Sequence, residues 1–179
     1  NPEEKDALTI AIEQAKEENA DLVLGTDPDC DRVGTAVLHN GEYVLITGNQ
    51  IGALLVDFVL SNRKDTLNEK STLVKTIVTS EVGADIARSY GLQIVDTLTG
   101  FKYIGEQIGK YEINGDKEFV IGYEESYGYL VGTHARDKDA VVSSMLICQM
   151  AAYHKNNGRT LVDALNEIYA KYGFYLDVL

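Results

Sequence analysis

Three aspartates at alternate positions, followed by an arginine, form the part of this sequence best suited to chemistry. They lie in Thr-Asp-Pro-Asp-Cys-Asp-Arg at residues 26–32, between two short apolar runs. Neighbouring carboxylates repel one another unless a cation neutralises them, and hard divalent cations take oxygen ligands. Asp27, Asp29 and Asp31 are therefore candidate metal ligands. Arg32 would place a fixed positive charge beside them, suited to a carboxylate or a phosphate.

The acidic stretch has other interpretations. A solvated acidic turn between two strands explains it equally well, and an aspartate-nucleophile phosphotransferase also places acidic residues after an apolar strand. A calcium-binding EF-hand is excluded. That loop needs glycine at its sixth position and glutamate at its twelfth, where this sequence has Arg32 and Leu38.

A second polar stretch, Thr-Leu-Thr-Gly-Phe-Lys-Tyr at residues 97–103, joins a predicted strand to a predicted helix. Gly100 permits a tight turn, and Lys102 falls in the first helical turn, where a positive charge is mildly unfavourable against the helix dipole. An anionic ligand that binds this lysine would offset the unfavourable interaction. A solvated lysine beside a buried Phe101 is the alternative.

A third polar stretch begins with Gly-Tyr-Glu-Glu-Ser-Tyr-Gly at residues 122–128. Its glutamates and serine supply acceptors and a donor suited to sugar hydroxyls. His134, Arg136 and Lys138 follow near a predicted helix start. A partly desolvated lysine near other cations has a lowered pKa, which suits proton transfer. The alternative is an ordinary helix N-terminus, with Asp137 as the cap and Lys138 in solvent.

The elements that position these stretches follow from apolar periodicity and from cap and turn residues. Helices are predicted over 1–19, 51–62, 81–90, 101–108, 137–153 and 161–172. Strands are predicted over 21–25, 33–38, 43–46, 72–78, 92–95 and 119–121, with a glycine-rich loop over 122–132 and an extended tail over 174–179.

Three local features of the sequence predict particular structures. Asn1 and Pro2 predict a helix start, and Asn40-Gly41 predicts a hairpin. The helix over 137–153 has apolar residues on more than one face, which predicts a well-buried helix.

The alternation of strands and helices predicts an α/β fold with a mixed, largely parallel sheet and helices on both faces. The three polar stretches follow strands, and ligands gather at the carboxyl ends of strands in such folds.

Composition narrows the classes of partner. The chain has 179 residues, 45% of them hydrophobic, and a net charge of −12, which argues against nucleic acid or an anionic membrane as a partner. Two cysteines, Cys30 and Cys148, are too few for a disulfide framework. No signal peptide or membrane-spanning run is visible, so a cytoplasmic setting is expected. Because no initiator Met is present, we expect an excised fragment.

Together, the three stretches resemble the α-D-phosphohexomutase (phosphoglucomutase/phosphomannomutase) family. Residues 26–32 look like its metal-binding loop, usually Asp-Gly-Asp-x-Asp-Arg, although Pro28 replaces the glycine. Residues 99–102 look like its Thr-Gly-Phe-Lys stretch, and residues 122–126 like its sugar-binding Gly-Glu-x-Ser loop. The basic segment 136–139 follows in the family's order. This combination removes the aspartate-nucleophile alternative, which has no role for the Glu-Glu-Ser loop.

The resemblance implies that the chain contains parts of two domains and lacks two motifs of the family. Residues 1–46 look like the end of the family's second domain. Residues 47–179 look like its third domain, with a short tail toward the fourth. The family's phosphoserine and phosphate-gripping motifs do not occur in this sequence. We therefore expect this chain alone to be inactive, and the remaining domains of a parent chain to be its partners.

The activity that the resemblance implies is phosphoryl transfer between O1 and O6 of a hexose, through a phosphoserine and a hexose bisphosphate. The aromatic form of the Glu-Glu-Ser loop, residues 123–129, looks more like that of phosphoglucomutases and their pentose-using relatives than that of glucosamine mutases, so glucose is favoured. Mannose or pentose phosphates, and a non-catalytic sugar- or metal-binding module, are the alternatives. Mg²⁺ is the implied cofactor. The implied ligands of the metal are Asp27, Asp29 and Asp31.

The resemblance also implies roles for the remaining site residues. Lys138 is the implied general acid/base, and Arg32 would lie near the transferred phosphoryl group. Glu124 and Ser126 would bind the ring hydroxyls of the sugar. Lys102, Arg136 and His134 would help to hold the ligand.

Overall fold

The computed structural model describes residues 1–176 and contains two sheets. The first sheet is antiparallel, with the order β1 (Leu22–Thr26), β2 (Val33–His39) and β3 (Glu42–Ile46). Asn40 and Gly41 both have positive φ, as a tight hairpin turn requires, which confirms the predicted hairpin. The acidic stretch connects β1 to β2, so the backbone reverses direction through it.

The second sheet is mixed and largely parallel, with the order β5-β4-β6-β7. Its strands are β4 (Ser71–Thr76), β5 (Gln93–Thr97), β6 (Glu118–Glu124) and β7 (Gly128–Val131). Strand β4 pairs in parallel with β5 and with β6, and β7 runs antiparallel to β6. The carboxyl ends of the parallel strands β4, β5 and β6 therefore lie at one edge.

Six α-helices complete the fold: α1 (Thr9–Glu18), α2 (Gly48–Asn62), α3 (Val82–Ser89), α4 (Phe101–Asn114), α5 (Ala140–Asn156) and α6 (Leu161–Tyr172). Helix α4 packs on one face of the second sheet through Ile104 and Ile108, in a cluster with Val74. Helices α2, α3 and α6 share a separate, larger core with Leu73 and Ile121. Helices thus cover both faces, as the sequence predicts for this α/β class. Within residues 1–176, no helix is long and apolar enough to cross a membrane.

The predicted helix start at Asn1 is wrong. The first helical residues form the 3-10 helix Lys5–Leu8, and α1 begins only at Thr9. Pro2 is buried instead, and its carbonyl oxygen would lie 2.3 Å from a Cβ placed on Gly34. Packing of the N-terminal segment on β2 therefore overrides the local preference for a helix.

Two further predictions need correction. Residues 128–131 of the predicted glycine-rich loop form β7, because this short segment pairs with β6 and is mostly buried. Helix α5 is buried along one stripe rather than all round, and Val141 and Met145 are exposed. Of the predicted extended tail, residues 177–179 lie outside the described residues.

Candidate functional site

The acidic stretch folds into a tight loop that brings three carboxylates together. One oxygen from each of Asp27, Asp29 and Asp31 lies within 4.8 Å of the others. Asp27 is buried, whereas Asp29 is exposed. An all-oxygen set of this size and charge fits a hard divalent cation such as Mg²⁺.

Asp27 is the structural centre of the loop. Its Oδ1 accepts hydrogen bonds from the backbone N–H groups of Asp31 (3.1 Å) and Arg32 (3.0 Å), and its Oδ2 accepts one from Arg32 Nε (2.8 Å). Burial alone would raise the pKa of Asp27, but the hydrogen bonds from Arg32 and Asp31 outweigh it and hold this pKa far below its usual range. The charged form of Asp27 is therefore built into the fold. Arg32 also pairs with Glu3, at 2.9 Å.

The acidic loop is joined to the β6–β7 turn and to α5 by backbone hydrogen bonds. The N–H of Val33 donates to the carbonyl of Tyr127 (3.2 Å), and the N–H of Ala140 donates to the carbonyl of Cys30 (3.0 Å). Arg32 also forms an isolated β-bridge with Gly128. The loop therefore lies between the β6–β7 turn and the first residue of α5.

Lys138 joins the two parts of the site. Its Nζ lies 2.9 Å from Asp31 Oδ2 and 3.2 Å from Asp137 Oδ1. It also lies 5.6 Å from the centre of the Phe101 ring. The sequence therefore correctly places Lys138 near the start of α5, and the structure connects it directly to a predicted metal ligand.

The prediction that neighbouring cations lower the pKa of Lys138 is wrong. Burial acts in that direction, but the contacts with Asp31 and Asp137 outweigh it and raise the pKa of Lys138. The expected neighbours have other partners. His134 Nε2 lies 2.8 Å from Asp139 Oδ2, and Arg136 is bound to Glu112. Arg136 is thereby directed toward the later part of α4.

The N-cap of α5 is not Asp137, which the sequence offered as the cap of an ordinary helix N-terminus. Asp139 is the N-cap, and its Oδ1 accepts hydrogen bonds from the N–H groups of Val141 (2.9 Å) and Val142 (3.0 Å). Asp137 instead contacts the side chain of Lys138. The capping and ion-pairing tasks are therefore divided between two aspartates.

The turn between β6 and β7 carries the predicted sugar-binding residues. Glu124 ends β6, is 5% exposed, and its Oε1 accepts a hydrogen bond from the N–H of Gly100 (2.9 Å). Burial raises the pKa of Glu124. Ser126 is half-buried in the turn. Lys102, in the first turn of α4, is exposed and forms no ion pair with any residue of the described chain.

Glycine at position 128 is a feature of the site that sequence reasoning did not identify. A Cβ placed there would lie 2.1 Å from Lys138 Cδ, so the methylene chain of Lys138 crosses the space that this glycine leaves open. Gly48 is a second such residue, because its Cβ would lie 1.8 Å from the carbonyl oxygen of Glu125. Both glycines are distant in sequence from the residues that they accommodate, so no local pattern reveals them.

Comparison with known proteins identifies relatives of this chain. Residues 47–172 match the model of the phosphoglucomutase/phosphomannomutase alpha/beta/alpha domain III, and residues 1–41 match the model of domain II. A phosphoglucomutase of Staphylococcus haemolyticus (strain JCSC1435) is 39% identical over 178 residues, covering 99% of this chain and 32% of that protein. A phosphoglucomutase of Staphylococcus aureus (strain USA300) is 37% identical over 180 residues, covering 100% and 32%. The chain thus spans about a third of the length of these curated relatives.

Solved structures show the same fold. A protein of Thermus thermophilus assigned as a phosphomannomutase superposes with a TM-score of 0.74 at 26% identity, covering 97% of this chain and 36% of that one. A phosphoglucomutase/phosphomannomutase family protein of Burkholderia thailandensis gives a TM-score of 0.72 at 16% identity, covering 93% and 33%. The second likeness concerns the fold alone.

Proposed function

Because this chain belongs to the phosphoglucomutase/phosphomannomutase family, we propose that it supplies the metal-binding and sugar-binding walls of a phosphohexomutase active site. The reaction is the reversible movement of a phosphoryl group between O1 and O6 of a hexose, with glucose favoured. The observation that carries the proposal is the 2.9 Å contact between Lys138 Nζ and Asp31 Oδ2. That contact joins a candidate proton carrier to a candidate metal ligand.

The acidic loop would hold Mg²⁺ through Asp27, Asp29 and Asp31. When bound, the ion would neutralise negative charge that develops on the transferred phosphoryl group. Arg32 is already oriented by its bond to Asp27, so its remaining N–H groups are suited to phosphoryl oxygens. A cation bound at Asp31 would compete with Lys138 for that carboxylate.

Lys138 is proposed to move a proton at the sugar oxygen that gains or loses the phosphoryl group. Lys138 is an ammonium in the structure, so it is suited to donate a proton to the sugar oxygen that loses its phosphoryl group when the bisphosphate returns that group to the serine. In the opposite direction, a hydroxyl of the sugar gains the phosphoryl group and loses its proton. The neutral amine of Lys138 accepts that proton and becomes the ammonium again.

The β6–β7 turn is proposed to recognise the ring hydroxyls. Glu124 Oε2 and the Ser126 hydroxyl are suited to hydrogen bonds with a sugar, since Gly100 occupies only Oε1 of Glu124. Lys102, with its exposed ammonium, would attract the phosphate of the substrate. Arg136 and His134 would help to hold the ligand from the rim of the site.

The division of labour within the complete protein is also a proposal. Residues 1–46 would end the second domain, and residues 47–179 would form the third domain with its tail. A phosphoserine and a phosphate-gripping loop, neither of which occurs in this sequence, would come from other parts of the complete protein. This chain alone would then be inactive, and the complete protein would act in the cytoplasm on hexose phosphates and bisphosphates.

The deciding experiment assays the complete protein with Mg²⁺ against a panel of glucose, mannose and ribose 1-phosphates. We expect glucose 1-phosphate to have the highest kcat/KM. Preference for another sugar would make the protein a phosphomannomutase or phosphopentomutase. No turnover of any of them, together with retained sugar or Mg²⁺ binding, would leave a non-catalytic binding module. Calorimetry on this chain alone should show only weak Mg²⁺ binding, because the phosphoserine oxygen is not part of it.

A further inference from the structure

Lys75 is a buried charge with no role in the site described so far. It lies near the carboxyl end of β4 and is 1% exposed. Its Nζ lies 2.7 Å from Glu81 Oε1 and 3.0 Å from Asp96 Oδ1. The ammonium also donates to the backbone carbonyl of Thr79, at 3.2 Å.

Neutralising these carboxylates does not explain a lysine at this position. The side chains of Glu81 and Asp96 are 51% and 49% exposed, so water would solvate both of them without Lys75. A buried ion pair roughly breaks even against a well-packed apolar side chain. What the lysine adds is a fixed position for the loop that follows β4, because its ammonium binds the loop backbone at Thr79.

That loop and the last residue of β4, together called the loop 76–80, hold the β6–β7 turn. The hydroxyls of Thr76 and Thr79 lie 2.7 Å apart, and they contact Glu125 Oε2 at 3.3 Å and 3.0 Å respectively. Both threonines are buried, so these hydroxyls depend on the carboxylate to satisfy their hydrogen bonds. Across the turn, the carbonyl of Glu125 packs against Gly48 at the start of α2.

We propose that Lys75 is a positioning residue for sugar recognition. It fixes the loop 76–80, whose hydroxyls fix Glu125, and Glu125 in turn sets the positions of its neighbours Glu124 and Ser126. The substrates concerned are hexose phosphates that differ in the configuration of a single ring hydroxyl. The inference rests on the proposed function, since it assigns the turn to sugar binding.

The kinetic test uses the complete protein with Lys75→Met and Thr79→Val, and with Thr79→Ser as the matched control that keeps the hydroxyl. Lys75→Met should raise KM for glucose 1-phosphate about five- to tenfold, the equivalent of losing one hydrogen bond, and should change kcat less. It should also reduce the preference for glucose over mannose 1-phosphate. Thr79→Val should act in the same direction, and Thr79→Ser should resemble the parent.

A purely structural role for Lys75 predicts a different result. It would lower the amount of folded enzyme and therefore reduce turnover of both sugars equally, leaving KM and the sugar preference unchanged. That outcome would overturn the inference. The Mg²⁺ concentration for half-maximal activity should change much less than KM for the sugar, because the carboxylates of the acidic loop are held by Arg32 and Lys138 and not by residues 124–126.

Hydrogen exchange on the complete protein separates this inference from the proposed function. In Lys75→Met, the amides of residues 76–80 and 124–127 should exchange faster, while those of residues 27–32 should keep their protection. Unchanged exchange in the turn, or equal acceleration everywhere, would contradict the role of Lys75. If the parent protein turns over no hexose phosphate, the proposed function fails, and the exchange pattern alone decides whether Lys75 positions the turn.

Discussion

The two walls of the candidate site are held in place by different forces. The acidic loop is organised by charge: Asp27 is bound by Arg32, and Asp31 is bound by Lys138. The β6–β7 turn is held by close packing on Gly48 and by uncharged donors, namely the N–H of Gly100 and the hydroxyls of Thr76 and Thr79. A loop whose cationic partners can be exchanged suits a metal ion, whereas a rigid turn suits discrimination among sugars.

The same difference is visible in two buried carboxylates. Hydrogen bonds from Arg32 and Asp31 overcome burial and lower the pKa of Asp27. Burial dominates at Glu124 and raises its pKa, because the N–H of Gly100 and the charge of Lys138 oppose it only in part. The fold thus favours the charged form of one carboxylate and disfavours that of the other.

Removing one carboxylate from the acidic loop should have the largest effect on activity. Asp29 is exposed and forms no hydrogen bond with the residues described, so Asp29→Ala should leave the free energy of unfolding within about 0.5 kcal/mol of the parent. Turnover by the complete protein should fall by about a thousandfold, because charge stabilisation by a metal is worth several kcal/mol. Glu17→Ala, which removes an exposed carboxylate from α1, is the control. Turnover near the parent value in Asp29→Ala would contradict the assignment of Asp29 as a metal ligand.

The next largest effect is expected where the two walls meet. Lys138→Met should lower kcat by about a hundredfold, since a positioned general acid contributes at least that much, and should change KM less. Lys110→Met, which removes an exposed lysine paired with Glu106, should leave both constants unchanged. A rise in KM alone would make Lys138 a binding residue.

The sequence predicts which side chains of the acidic loop meet better than it predicts the distant residues that hold them. Asp27, Asp29 and Asp31 are neighbours in the chain, so local spacing is enough to suggest that their carboxylates meet. The pairing of Lys138 with Asp31 depends on how α5 packs beside the acidic loop, which no local pattern encodes. The misplaced helix start at Asn1 has the same origin, since burial of Pro2 against β2 is a tertiary contact.

Prediction of the fold from the sequence has a similar limit. Periodicity predicts the alternation of strands and helices and hence the α/β class, because each element buries its own apolar face. Strand β7 escapes prediction because its four residues, Gly128–Val131, are too short for a periodic signal. The glycines at 48 and 128 cannot be recognised as site residues from the sequence, because only the structure shows which distant atoms approach them.

The packing of the turn should be sensitive to a single methyl group. Gly48→Ala would place a Cβ 1.8 Å from the carbonyl oxygen of Glu125, so the turn must move, at a cost of about 1–3 kcal/mol in unfolding free energy. Gly109→Ala is the matched control, because a Cβ placed at this position in α4 would have no atom within 4 Å beyond the backbone of its own helix and its chain neighbours. That control should gain about 0.5–1 kcal/mol from the higher helix propensity of alanine. Urea denaturation measures both, and equal effects of the two substitutions would contradict the close packing of the turn.

The smallest effect is expected at Glu124, where a substitution should raise the free energy of unfolding rather than lower it. Because its folded-state pKa is raised above the unfolded value near 4.3, the folded state binds more protons between the two values, and stability falls as pH rises through that window. Glu124→Gln removes the ionisation but keeps an acceptor for the N–H of Gly100. This variant should therefore be more stable than the parent at pH 7, while it binds hexose phosphate more weakly.

Urea denaturation of Glu124→Gln and the parent from pH 7 to pH 4 tests this sign. The advantage of the variant should shrink as the pH falls through the folded-state pKa, and it should reach its minimum below the unfolded value, where Glu124 is protonated in both states. Glu17→Gln, at an exposed position on α1, should show no such trend. If Glu124→Gln is less stable at pH 7, the charge of Glu124 stabilises the turn, and both walls of the site are then organised by charge.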